Sequence, residues 1–193
     1  MTSSTESTTR NWENLTIPTA GTYSLDQAHK RVGFVARHMM VSKVRGEFRT
    51  AEATITVAEN PLESSVTATI QAASIDTNQT DRDNHLRSAE FLESDTYPTL
   101  EFRSTGVKSH HGNEFVLTGD LTIKGVTRQV ELEVEFEGVG RSPFGQDIFG
   151  FHASTEIDRE EFGLTWNVAL ETGGVLVGRK VKIEIEGEAV RQA

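Results

Sequence analysis

Cysteine is absent from this chain, so a thiolate nucleophile, a thiolate metal site and a disulfide framework are all excluded. The six histidines and the carboxylates are left to do any acid–base or metal chemistry. The histidines are scattered. His110 and His111 adjoin at a hairpin tip, where neighbouring side chains point to opposite sides. His29 and His152 fall near strand ends or on wet faces, and His85 falls in a short helix, facing solvent. His38 differs, because it is in phase with Val32, Phe34 and Ala36 on the apolar side of a strand. A histidine there is either a hydrogen-bonded core residue or a polar group lining a cavity.

Asp76, Asn78 and Thr80 have the spacing that opens a calcium loop. Asp81 then stands where that loop needs glycine, and Arg87 where it needs glutamate. Glu131, Glu133 and Glu135, like Glu184, Glu186 and Glu188, recur every second residue and form solvated stripes. Asp158, Glu160 and Glu161 flank Arg159 without defining a paired acid and base. Nucleophile-elbow, zinc-protease, phosphate-loop and dinucleotide motifs are all missing. Gly138-Val139-Gly140 runs into Arg141-Ser142-Pro143 in a loop. The expectation is a protein with no catalytic centre, metal or cofactor.

The elements that would position these residues are strands. Val32, Phe34 and Ala36 alternate with polar or small neighbours; so do Ala53, Ile55 and Val57, and Val66, Ala68, Ile70 and Ala72. The same rhythm returns at Leu100 and Phe102, at Phe115 to Ile123, at Val130 to Phe136, at Phe149 to Ile157 and at Val181 to Ile185. A period of two over about eight segments, separated by turn signals such as Asn60-Pro61 and Lys124-Gly125, predicts an all-β antiparallel sheet with one wet face. Its apolar face must meet a second sheet or close on itself. The length of the strands favours a barrel. One segment, 81–91, has helical spacing at Leu86, Ala89 and Phe91, with Thr80 as the predicted N-cap. Residues 1–20 are rich in Ser and Thr and read as a disordered tail, with Trp12, Leu15 and Ile17 able to fold back as a cap. A single domain over 21–191 follows.

The 193 residues carry a net charge of −10. That balance opposes nucleic acid and anionic membrane faces. The polar start gives no export signal, and no stretch is apolar enough to span a membrane. Cytoplasmic residence is expected.

Taken in order, the segments resemble the YceI-like family of polyisoprenoid-binding proteins. The likeness is carried by Tyr23-Ser24-Leu25-Asp26 with His29, Val32-Gly33-Phe34, Val44-Arg45-Gly46-Glu47-Phe48 and Ser74-Ile75-Asp76-Thr77. It continues in Arg82-Asp83-Asn84-His85-Leu86, Tyr97-Pro98-Thr99-Leu100-Glu101-Phe102, Gly119 to Thr127 and Ile157 to Leu164. Lys30 departs from the family's small hydroxyl residue. The resemblance implies a lipocalin-like barrel with an internal apolar tunnel and no enzymatic activity. The implied ligand is a long-chain isoprenoid, a polyprenyl phosphate or quinone, or a fatty-acid derivative. A homodimer is consistent with it.

Small inner positions, Ala36, Ala53, Ala68, Ala72, Gly119 and Ala153, alternate with phenylalanines. That pattern leaves volume in a hollow barrel, or interdigitates in a filled one. With the resemblance, the expected ligand contacts are Phe34, Ala36, His38, Phe48, Ala68, Ile70, Leu86, Phe91, Phe102, Leu121, Phe151, Ile157, Phe162 and Trp166. Arg37, Arg45, Arg82 and Arg159 are the candidates for an anionic head group.

Overall fold

Strands with one apolar face cannot stand alone in water, and here the sheet buries that face by closing on itself. The computed structural model describes residues 8–193. In chain order the strands are β1 (Thr9–Trp12), β2 (Leu15–Pro18), β3 (Gly21–His38), β4 (Ser42–Phe48), β5 (Ala51–Val57), β6 (Ser65–Gln71) and β7 (Ile75–Asp76). Helix α1 (Thr80–Arg87) follows, then β8 (Thr99–His111), β9 (Glu114–Ile123), β10 (Val126–Arg141), β11 (Asp147–Asp158) and β12 (Val177–Arg191). Antiparallel pairing runs β3, β5, β6, β8, β9, β10, β11, β12 and back to β3, a closed barrel of eight strands. β4 continues the line of β5: β5 pairs with residues 21–24 of β3, and β4 with residues 32–38.

The barrel is elongated. The 16 residues of β10 span about 50 Å at roughly 3.3 Å each. Bulges coil these long strands around the lumen, at Phe136/Gly138 in β10 and at Ser104/Gly106 in β8. The two-residue turn Lys124-Gly125 has φ of +50° and +73°, as the twist of a tight hairpin requires. A Cβ on Gly125 would also sit 2.8 Å from the Tyr97 ring.

Two expectations need correction. The helix ends at Arg87, and its N-cap is Gln79, whose side chain accepts from the Arg82 N–H at 2.8 Å. Residues 88–98 continue as turns that bury Phe91 and Leu92. Residues 9–18, expected in a disordered tail, form the antiparallel β1–β2 hairpin. Residues 1–7 of that tail lie outside the described residues. The hairpin is held by its apolar side: Ile17 is buried, and the Trp12 ring lies 5.0 Å from His110 and 6.1 Å from Phe115. Arg10 donates to the Ala58 and Glu59 carbonyls, both at 2.5 Å. Trp12 and Ile17, read as able to fold back as a cap, pack against the barrel in this hairpin.

The buried residues form two clusters. One comprises Ala72, Ile75, Leu92, Leu100, Leu121, Ile123, Ile157, Phe162 and Leu164, beneath the end covered by α1. The other comprises Tyr23, Val57, Phe149 and Ala189, near the end covered by the hairpin.

Candidate ligand-binding lumen

Between these clusters the inward side chains leave the interior unfilled, although Phe34 and Phe48 lie ring to ring at 5.9 Å. Phe34, Phe48, Phe102, Leu117, Val134 and Phe151 point inward, yet each is only half-buried, because empty space lies beside it. The space is a lumen of about 290 Å³. Its wall comes from every barrel strand. Among its lining side chains only Ser64 and Thr155 carry a polar group, and none is titratable. Ile17 and Pro18 of the hairpin contribute to it, beside Pro61 and Ser64. At the other end it reaches Leu100, Leu121 and Ile123, which belong to the larger cluster.

The small residues explain where the volume is. Ala53 and Ala68 are cross-strand partners and both face the lumen, as does Ala153. Gly119 makes no such room. A Cβ there would fall 2.4 Å from the Phe102 ring, so that ring already fills the space. Ala72 is packed in the core beneath α1.

Of the residues expected to touch a ligand, Phe34, Phe48, Ala68, Ile70, Phe102, Leu121 and Phe151 line the lumen. Ala36, His38, Leu86, Phe91, Ile157, Phe162 and Trp166 do not. Ile157 and Phe162 are solid core. Leu86, Phe91 and Trp166 belong to the cap over one end, where His85 stands edge-on to Trp166 at 4.5 Å and to Phe91 at 5.0 Å. His85 is therefore half-buried and does not face open solvent. His38 is the last residue of β3, and its carbonyl accepts from the Val41 N–H across a tight turn. On β3 the lumen is lined by Val32, Gly33 and Phe34, and His38 lies four residues further along, beyond it.

None of the four arginines lines the lumen either. Arg37 and Arg45 sit on the outer wall, exposed. Arg82 ties α1 to β7, donating to the Thr77 hydroxyl at 2.8 Å and carbonyl at 2.9 Å. Arg159 is only 3% exposed and donates to the carbonyls of Leu164, Trp166, Val177 and Gly178. Burial pulls its guanidinium below the ordinary arginine value, against Glu160 and Asp158, which raise it. It pins residues 164–178 to the barrel end, with four of its five N–H donors taken by these carbonyls.

The calcium-like segment is also accounted for. The Asp76 carboxylate accepts from the Asn78 N–H at 2.7 Å and from Arg49 at 2.6 Å, and both hold it below its ordinary value. It borders an open polar groove outside the barrel. One cluster of possible metal ligands exists among the described residues: Asp26, His29 and Glu188, on the outer wall. The His29 Nδ1 lies 2.8 Å from Asp26 and 3.6 Å from Glu188. The hydrogen bond to Asp26 raises the imidazole's pKa and, in return, lowers that of Asp26. A protonated imidazole on two acids suffices for that cluster. Among the described residues, no helix is long and apolar enough to cross a membrane.

Sequence reasoning missed Ile17, Pro18, Pro61, Ser64 and Val107 as lumen residues. The alternation of Leu15 and Ile17 was the available signal for the first two. Val107 sits between the two β8 bulges, after the one at Ser104/Gly106 that resets the inward phase.

Comparison with known proteins agrees with this architecture. A UPF0312 protein of Staphylococcus epidermidis is 42% identical over 168 residues, which are 86% of this chain and 95% of the relative. A Campylobacter jejuni YceI protein superposes with a TM-score of 0.70 at 28% identity, over 81% of this chain and 90% of that one. A structure described as a polyisoprenoid binding domain from Saccharophagus degradans shares the fold, with a TM-score of 0.67 at 11% identity, over 90% and 100% of the two chains. Residues 23–189 match the YceI-like domain, and the chain belongs to that family.

Proposed function

We propose that this protein is a non-enzymatic carrier or reservoir for one long apolar lipid, an isoprenoid chain, held in the lumen. The observation that carries this reading is an apolar lumen of about 290 Å³ with no titratable side chain in its wall. An enzyme working in the same space would need acid, base or nucleophile to converge there. A filled structural barrel would have buried its inward phenylalanines fully.

Magnitudes favour a long tail. At about 30 Å³ per water-sized group, the lumen holds roughly ten methylene-sized groups. At about 0.8 kcal/mol each, their burial yields roughly 8 kcal/mol. Association costs about 4–15 kcal/mol, so a chain that fills the lumen offsets the lower part of that range and a short ligand does not. Only Ser64 and Thr155 offer polar contacts, too little to anchor a short acid. Methyl branches every few carbons fill a wide lumen better than a straight chain does. The polyisoprenoid binding named for the Saccharophagus degradans domain supports the same choice. In this reading Phe34, Phe48, Ala68, Ile70, Phe102, Leu121 and Phe151 hold the tail.

Native mass spectrometry of protein purified from its host tests the proposal. The expected result is a retained mass that extracts into organic solvent and is identified as a prenyl chain. A straight-chain acid in its place would refute the isoprenoid and keep the carrier. Ligand-free protein that also refuses added long-chain prenols and quinones would refute both.

A further inference from the structure

The end of the barrel opposite the hairpin carries an exposed apolar tip. β3 and β4 are joined by His38-Met39-Met40-Val41, a four-residue turn closed by the Val41 N–H on the His38 carbonyl at 3.1 Å. Met39, Met40 and Val41 are 42%, 57% and 81% exposed. A second tip adjoins them. The Met39 N–H donates to the Leu176 carbonyl, and the Leu176 N–H donates to the carbonyl of Val168, which is 45% exposed. Four of the five large exposed hydrophobic residues among those described therefore share one end of the molecule.

The turn is an unfavourable place for these side chains. Met39 and Met40 have φ of +50° and +62°. A turn with both central residues at positive φ ordinarily takes Asn-Gly or a similar pair. Two methionines there bear backbone strain as well as exposure. Strain at an exposed site points to a use for it.

The walls beside the tip are cationic. Arg37 and Lys43 are direct cross-strand partners, and Arg45 follows two residues along the same outward face. Like charges directly opposite destabilise a sheet. Among the described residues no acid lies within 4.0 Å of these three. Glu184, ion-paired with Lys182 at 2.9 Å, also feels the charge of Arg45, and Glu47 pairs with Arg49 at 3.2 Å. Glu171 is the exception, exposed on the neighbouring loop.

From this we infer that the Met39–Val41 turn and the Arg37/Lys43/Arg45 wall dock the protein on an anionic phospholipid bilayer. The methionines and valine enter the interface, and the three cations meet lipid phosphates. The net charge of −10 suggests repulsion from such a surface, but charges are screened beyond about 8 Å at physiological salt. With strands as long as the 16 residues of β10, most of the barrel lies beyond that distance, and the charge that a bilayer meets is the local one. A second copy of the chain fits the patch poorly, because a two-fold contact would set these cations against their own images.

Vesicle flotation of the intact protein tests this, using phosphatidylglycerol/phosphatidylcholine vesicles against phosphatidylcholine alone. Binding to the anionic vesicles only, weakened by salt, is expected. Val41→Asp should abolish it. Arg37→Gln with Lys43→Gln should weaken it about five-fold per charge, roughly twenty-five-fold together. Both changes are on exposed positions, and unchanged melting confirms the fold. No flotation, equal flotation with both vesicles, or variants that float like the parent would each overturn the inference. So would a dimer that Val41→Asp dissociates in protein that ignores vesicles, which would assign the tip to a second copy. The inference does not depend on what the lumen contains, and a lumen-blocked Ala68→Phe protein should still float.

Discussion

Ala68→Phe is the sharpest test of the hollow lumen. Ala68 faces the cavity, opposite Ala53 on one side and Phe102 on the other. The substitution adds six carbons, and they project into empty space. They take up roughly six of the ten or so methylene-sized places in 290 Å³. At about 0.8 kcal/mol each, the ligand loses about 5 kcal/mol of burial, or three orders of magnitude in affinity. Stability of the ligand-free protein should hold or rise, since new apolar contacts form without displacing old ones. Titration with a fluorescent prenol reads the first quantity, and calorimetric melting reads the second. A filled barrel predicts the reverse. There the ring overpacks the core at about 1–3 kcal/mol, lowering the melting temperature by roughly 2–12 °C in a domain of this size. A variant that melts lower and still binds as the parent does would refute the lumen as the binding site.

Other outcomes follow from single contacts. Gly119→Ala should destabilise, because its Cβ would collide with the Phe102 ring and the Arg103 carbonyl; chemical denaturation reads the loss. Arg159→Met strands four carbonyls, and at about 1 kcal/mol for each buried acceptor it should lower stability by about 3–4 kcal/mol; calorimetry checks this. Trp12→Ala removes the stack on His110 and Phe115, so hydrogen exchange should rise in residues 9–18 and nowhere in the barrel, with faster release of bound lipid. His29 should titrate above 6.5 by NMR, and Asp26→Asn should return it toward that value. Its raised pKa favours the fold below 6.5, and the lowered pKa of Asp26 does so above 3.8, so the pair contributes fully between those values and fades outside them.

The sequence was most legible where strand phase alone decided the outcome. Phe115 to Ile123 and Val130 to Phe136 face inward as their alternation predicts, because nothing interrupts β9 or that part of β10. Phase could not tell where along a strand the lumen lies. Ile157 and Phe151 share a face of β11, yet Ile157 is core and Phe151 wall. Residues on irregular segments were harder still. Leu86, Phe91, Phe162 and Trp166 are apolar and conspicuous, but they cover the barrel's end instead of lining it. Arg159 read as a head-group candidate, because nothing local shows that four carbonyls from residues 164–178 converge on it. Emptiness itself left no trace in the sequence. Gly119 and Ala68 read alike, and only the neighbouring Phe102 ring separates them.

Closure of the barrel joins its first strand to its last. Tyr23 and Arg191 are 168 residues apart in the chain and neighbours in the β3–β12 ladder. At about 5–20 residues per second, β3 waits roughly 10–30 s on the ribosome for its partner. Throughout that interval the nascent sheet has two open edges and a greasy inner wall facing water. A holding chaperone would serve it then, and a message truncated before codon 177 would yield a product that never loses this vulnerability.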